Sequence, residues 1–159
     1  MMKALDNDYC VTSEERDYQM FVKWNGINKY FSTFSRTGKG DAYDVVGTLV
    51  DGRECAVELK YRTATHDEFD TWLIEPDKLA DGLLYATLSG MTALYINFYS
   101  DGWTGVFDLT KQHNISKQQK QRRTNPGFGD KMVEHAAYHL NKNDGVFFDE
   151  SGRIYRNCV

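Results

Sequence analysis

The chain has 159 residues with 19 basic and 23 acidic side chains, a formal charge of -4, and a 41% hydrophobic share that includes ten Tyr, nine Phe and three Trp. That composition supports one domain with a real core over residues 1–159, and it argues against disorder and against wholesale coating of nucleic acid. Cys10, Cys55 and Cys158 are scattered, form no C-x-x-C pair and indicate neither a disulfide framework nor a cysteine zinc site. Residues 1–10 are polar and acidic without an apolar signal core, and no apolar run nears the roughly 20 residues of a bilayer span; a reducing cytoplasm and no membrane partner are the expectation.

Residues 13–24 (SEERDYQMFVKW) read as a first helix capped by Thr12 or Ser13, with Glu14, Glu15 and Asp17 at the positive end of its dipole. Tyr18, Phe21 and Val22 make its apolar face. Glu14 projects about one turn earlier on that side, with Glu15 at its margin, so either can serve the dipole or lean over whatever the helix covers. Gly26 is expected to end the helix, and 27–35 (INKYFSTFS) to form a strand. The turn at 37–41 (TGKGD) lacks the spacing of a phosphate-cradling loop.

Residues 44–60 read as a hairpin turning at Asp51-Gly52. Glu58 and Lys60 share one face of its second strand, and Val57 and Leu59 point the other way. An acid and a base closing an apolar strand are costly unless solvated, paired or bound to something. Register decides whether Asp44 joins them. A two-residue Asp51-Gly52 loop turns Asp44 away and leaves Asp41 on the Glu58 face. A three-residue loop of Val50, Asp51 and Gly52, with Gly52 left-handed, sets position 44 opposite 58.

Residues 61–72 are of mixed polarity and read as largely loop, with His66, Asp67, Glu68 and Asp70 solvated rather than metal-bound. A second helix is expected over 75–89, opened by Pro76 and ended by Gly90, then strands over 92–99 and 103–109. Five basic residues (Lys111, Lys117, Lys120, Arg122, Arg123) and no acid fall between 109 and 129, leaving 14 basic against 23 acidic residues elsewhere. The charge is therefore segregated, and 111–125 reads as a basic loop able to contact phosphates. Residues 130–141 fit a third helix, on which His135 and His139 would be neighbours without the pattern of a zinc protease, and 145–158 a short closing hairpin. The order helix, three strands, helix, two strands is an α/β arrangement with a central mixed sheet.

Two carboxylates beside a lysine suit Mg²⁺ or Mn²⁺ and the hydrolysis of a phosphodiester. At Asp44-Val-Val-Gly followed by Ala56-Val-Glu58-Leu-Lys60, the chain resembles the PD-(D/E)XK nuclease superfamily, in particular the archaeal Holliday junction resolvase type, and the element order over about 13–109 resembles its restriction-endonuclease-like core. The resemblance implies that Asp44, Glu58 and the Leu59 carbonyl hold the metal, with Glu14 or Glu15 near it. It also implies that Lys60 acts on the attacking water, that Arg62 touches the scissile phosphate, and that DNA is the partner. Tyr43 stands where the motif has proline. The extension over about 110–159 would be a DNA-contacting addition. Resolvase-like activity would call for a homodimer, whose seam is not legible. The rival readings are a nuclease-like fold kept as a DNA- or protein-binding module without catalysis, and an interaction protein in which Asp44 and Glu58 lie on opposite faces.

Overall fold

A computed structural model describes the backbone of residues 2–38, 40–111, 116–124 and 132–156, and the side chains of 13–38, 40–111 and 137–155. In chain order, helix α1 (Met2–Asn28) leads to strands β1 (Phe31–Arg36), β2 (Val45–Leu49), β3 (Glu54–Arg62) and β4 (Thr71–Ile74). Helix α2 (Pro76–Ser89) follows, then β5 (Thr92–Tyr99), β6 (Thr104–Asp108), β7 (Ser116–Thr124), β8 (Met132–Asn141), β9 (Val146–Phe148) and β10 (Ile154–Arg156). Among the described residues, seven strands pair in the order β1-β2-β3-β5-β6-β9-β10. Among the described strands only β3 and β5 are parallel, joined by a crossover through β4 and α2. This is the mixed, helix-flanked sheet expected from the element order.

Strand alternation sorts the core onto two faces. Val57 and Leu59 of β3 and Leu94, Ile96 and Phe98 of β5 pack with Phe21 and Trp24 of α1. Ala93, Tyr95 and Tyr99 of β5 pack on the other face with Leu79 and Ala86 of α2. Glu58 alternates with Val57 and Leu59 and therefore belongs to the α2 face. The α2 helix begins at Pro76 and ends on Gly90, which is left-handed at φ 68°, as its turn chemistry requires.

The β2–β3 turn is the three-residue one. Leu49 N donates to Arg53 O at 2.8 Å, and Gly52 sits at φ 91°, a conformation open to glycine. The ladder then runs from Thr48 opposite Glu54 to Val45 opposite Val57. Asp44 lies just past its end, donating its N–H to Val57 O at 2.9 Å.

Several expectations are corrected. The helix expected from Ser13 is continuous back to Met2 and passes through Gly26 to Asn28, where Lys29 turns left-handed at φ 51°. Buried Asn25 makes that exit, bonding the Phe31 N–H and carbonyl at 2.7 and 3.2 Å and so tying α1 to β1. The loop expected after residue 61 contains β4, and the helix expected over 130–141 is strand β8. There Trp72 pairs with Leu140 and Ile74 with Tyr138, so the ladder satisfies β4 backbone groups that no neighbour in the larger sheet serves. The basic stretch expected to be a loop contains β7, the partner of β8 along its other edge. His135 and His139, neighbours on a helix, stand about 13 Å apart along a strand. The closing hairpin is β9 with β10.

Candidate metal centre

Where β2 leaves the sheet, the last part of β3 is uncovered along one edge, and a cleft of about 670 Å³ opens there. It is lined by Glu14 and Asp17 of α1, Arg36 at the end of β1, Asp41 and Asp44 before β2, Glu58, Leu59 and Lys60 of β3, and Lys78 of α2. Asp44 and Glu58 face the same space, which removes the reading that sets them on opposite sides of the sheet. The Leu59 side chain is buried in the α1-side core, so what Leu59 offers the cleft is backbone. Its N–H donates to Asp44 Oδ2 at 2.8 Å and fixes that carboxylate.

The cleft is electrostatically unfinished. Burial first, and then the charge of Asp44, push the Glu58 carboxyl up to about 7 against the opposing pull of Lys78 and Lys60. Burial also raises Asp44, with the Leu59 N–H and Lys78 opposing and Glu14 adding to the rise. Glu58 Oε1 meets Lys78 Nζ at 3.2 Å, whereas Oε2 is buried without a hydrogen-bond partner. A buried, unpartnered carboxylate oxygen beside a second carboxylate is a strained arrangement that a bound cation relieves. These hard oxygen donors fit a divalent ion of the Mg²⁺ or Mn²⁺ type.

Lys60 is exposed at the cleft, and its charge reaches both Glu58 and Asp17. Of the two first-helix glutamates, Glu14 lines the cleft. Glu15 instead pairs with Arg36 at 2.5 Å and accepts from Gln19 at 2.7 Å; the Gln19 bond and then Arg36 hold its carboxyl below the usual range. Asp41, the fallback carboxylate, accepts from the Gly38 N–H at 2.6 Å within its own loop. Tyr43, at the motif's proline position, is buried with its ring 4.5 Å from that of Tyr85, which seats the Asp44 loop on α2.

Arg62, expected to touch the scissile phosphate, is engaged within the protein. Its guanidinium donates to Asn97 Oδ1 at 2.8 Å, Tyr95 Oη at 2.7 Å and the Leu73 carbonyl, tying β3 to β5 and β4. Lys111 is exposed and 3.8 Å from Asp108, which also meets Arg53 at the opposite end of β3 from Lys60. The side chains of Lys117, Lys120, Arg122 and Arg123 lie outside the described residues.

Among the cleft residues that sequence reasoning missed are Asp17 and Lys78. Asp17 is one turn beyond Glu14 on the same side of α1, a spacing that could have flagged it. Its carboxyl is raised mainly by burial, with Asp44 adding to the rise and Arg16 and Lys60 opposing. Lys78 carries no local signal; only the crossover places the first turn of α2 over Glu58. The loop after β3 is also more structured than expected. His66 Nδ1 meets Asp101 Oδ2 at 2.6 Å, its ring stacks on Trp103 at 3.8 Å, and Asp67 completes a group whose ligand atoms lie within 4.8 Å of one another. Burial works against the Asp101 carboxylate, but bonds from His66 and from the Trp103 backbone hold it below its ordinary value.

No protein-family model and no curated protein sequence matches the chain. Among solved structures, the fold is similar to that of Hjc from Archaeoglobus fulgidus, a Holliday junction resolvase from an archaeal hyperthermophile. The TM-score is 0.51 at 12% identity, over 79% of this chain and 84% of that one. The likeness is one of fold. The chain's mixed sheet and its helices α1 and α2 match the restriction-endonuclease-like arrangement of that structure.

Proposed function

We propose that the chain is a Mg²⁺- or Mn²⁺-dependent nuclease that hydrolyses phosphodiester bonds within DNA. The observation that carries this reading is the pairing of Asp44 with Glu58 beside Lys60, with one buried Glu58 oxygen left without a partner. The resolvase-like fold supports it, since Hjc itself is a Holliday junction resolvase.

Asp44, Glu58 and the Leu59 carbonyl would hold the ion, with Glu14 or Asp17 behind it. When bound, such an ion offsets charge on a phosphoryl oxygen and makes water a better nucleophile. The Leu59 N–H keeps Asp44 from rotating, so the acidic pair is held ready before substrate arrives. The Lys60 ammonium, on the same strand face as Glu58, orients the attacking water and steadies negative charge as it forms on the phosphate. The cleft carries five acidic and three basic described side chains, so a phosphate anion is poorly received until cations are added. The basic run of the sequence from Lys111 to Arg123 would contact the DNA backbone, a contact that weakens with salt.

Incubation with supercoiled plasmid in Mg²⁺ tests the proposal. The wild type should nick and linearise the plasmid, and EDTA should stop it. Lys60→Ala should still shift DNA in a gel while cleaving about 100- to 10,000-fold more slowly. DNA binding with no metal-dependent nicking by the wild type would instead identify a binding module on a nuclease fold.

A further inference from the structure

The cleft contains a cation that the metal reading does not use. Lys78 stands in the first turn of α2, its Nζ 3.2 Å from Glu58 Oε1. Its side chain is 44% exposed, so the four-carbon stem has room to swing, while the neighbouring Leu79 is buried and anchors the helix backbone. Arg36, by contrast, is engaged by Glu15 and lies over the Tyr18 ring at 4.8 Å. Lys78 is thus paired with a member of the very carboxylate pair that a divalent ion would take. An ammonium and a divalent ion on the same pair repel one another, so loading the centre frees the lysine. A freed ammonium on a flexible stem, at the rim of an acidic cleft, suits a phosphate oxygen.

Building on the nuclease reading, we propose that Lys78 is an exchangeable cation. It occupies Glu58 in the metal-free protein and, once a divalent ion takes the acids, moves to a backbone phosphate of the bound nucleic acid. It is a substrate-binding residue distinct from Lys60, which lies on the strand itself.

Two measurements that need no cleavage test this on wild type, Lys78→Gln and Lys78→Arg. The first is calorimetric Mn²⁺ titration without nucleic acid. Lys78→Gln should bind Mn²⁺ several-fold more tightly, because the competing charge is gone, and Lys78→Arg should stay close to wild type. The second is the salt dependence of binding to a fluorescein-labelled DNA duplex in Ca²⁺. Lys78→Gln should lower the log-log slope by about 0.9, the share of one phosphate contact, and Lys78→Arg should restore it. A Lys78→Gln protein whose Mn²⁺ affinity is unchanged or weaker, or whose salt slope matches wild type, overturns the proposal while leaving the metal centre standing. A wild type that takes up no Mn²⁺ removes the nuclease reading and this proposal together.

Discussion

Asp44 Oδ2 accepts the backbone N–H of Leu59 at 2.8 Å, a side chain at the mouth of β2 completing a bond that the departing strand leaves open on β3. The contact ties the acid to the strand that carries Glu58 and Lys60, so the site is built into the hairpin. It also separates two functions of Asp44. An amide oxygen can accept the same N–H, so Asp44→Asn should keep its melting temperature near wild type while losing Mn²⁺ binding. Asp44→Ala leaves the N–H unanswered and should cost about 1–3 kcal/mol in a denaturation experiment as well.

The turn that sets this register rests on Gly52 at φ 91°, and a Cβ there would meet nothing within 4 Å. Its constraint is therefore conformational and not steric crowding by neighbours. Gly52→Val should lower stability by about 1–2 kcal/mol in urea titrations, the cost of holding an L residue left-handed. Val50→Ala beside it, at an exposed position, should change stability little.

The raised Glu58 carboxyl gives opposite pH dependences for folding and metal uptake. Its ordinary value is 4.5 and its folded value about 7, so between these the folded chain holds a proton that the unfolded chain has released. Metal-free stability should consequently fall as pH rises through this window and level off above it. The half-buried Asp44 and Asp17 carboxyls, also raised, act in the same direction. Mn²⁺ affinity should climb over the same range, since the ion needs the carboxylate. Thermal melts and Mn²⁺ titrations across pH 5 to 8 check both slopes, and Glu58→Gln should make the first shallower and abolish the second.

Arg62 gives a stability prediction. It bonds Asn97, which is fully buried, and Tyr95, and it lies over the Trp72 and Tyr95 rings at 6.0 and 5.9 Å. Arg62→Ala should destabilise the chain by about 2–4 kcal/mol by stranding those partners. Its DNA affinity, measured well below the melting temperature, should stay near wild type.

Sequence reached the site further than it reached the periphery, for physical reasons. Strand β5 was legible residue by residue because a continuous apolar run between a helix cap and an Asp-Gly turn admits few alternatives. Asp44, Glu58 and Lys60 were legible as a group except for one bit of register, which a single loop residue controls. The β8 strand was not legible. Met132, Val133, Ala136, Ala137 and Leu140 fit a helical period, and the strand partner that overrides it, β4, lies far back in the chain. Arg62 shares a strand face with Lys60, but alternation does not reveal that Asn97, Tyr95 and the Leu73 carbonyl claim its guanidinium. Lys78 depends on the same kind of long-range placement.

A crystal soaked in Mn²⁺ and measured at the manganese absorption edge tests the central claim most directly. The expected result is an anomalous peak between Asp44 and Glu58, with Glu58 Oε2 in its coordination shell and the Lys78 ammonium displaced from Oε1. A peak only at His66, Asp67 and Asp101, with the Lys78–Glu58 pair intact, would contradict it.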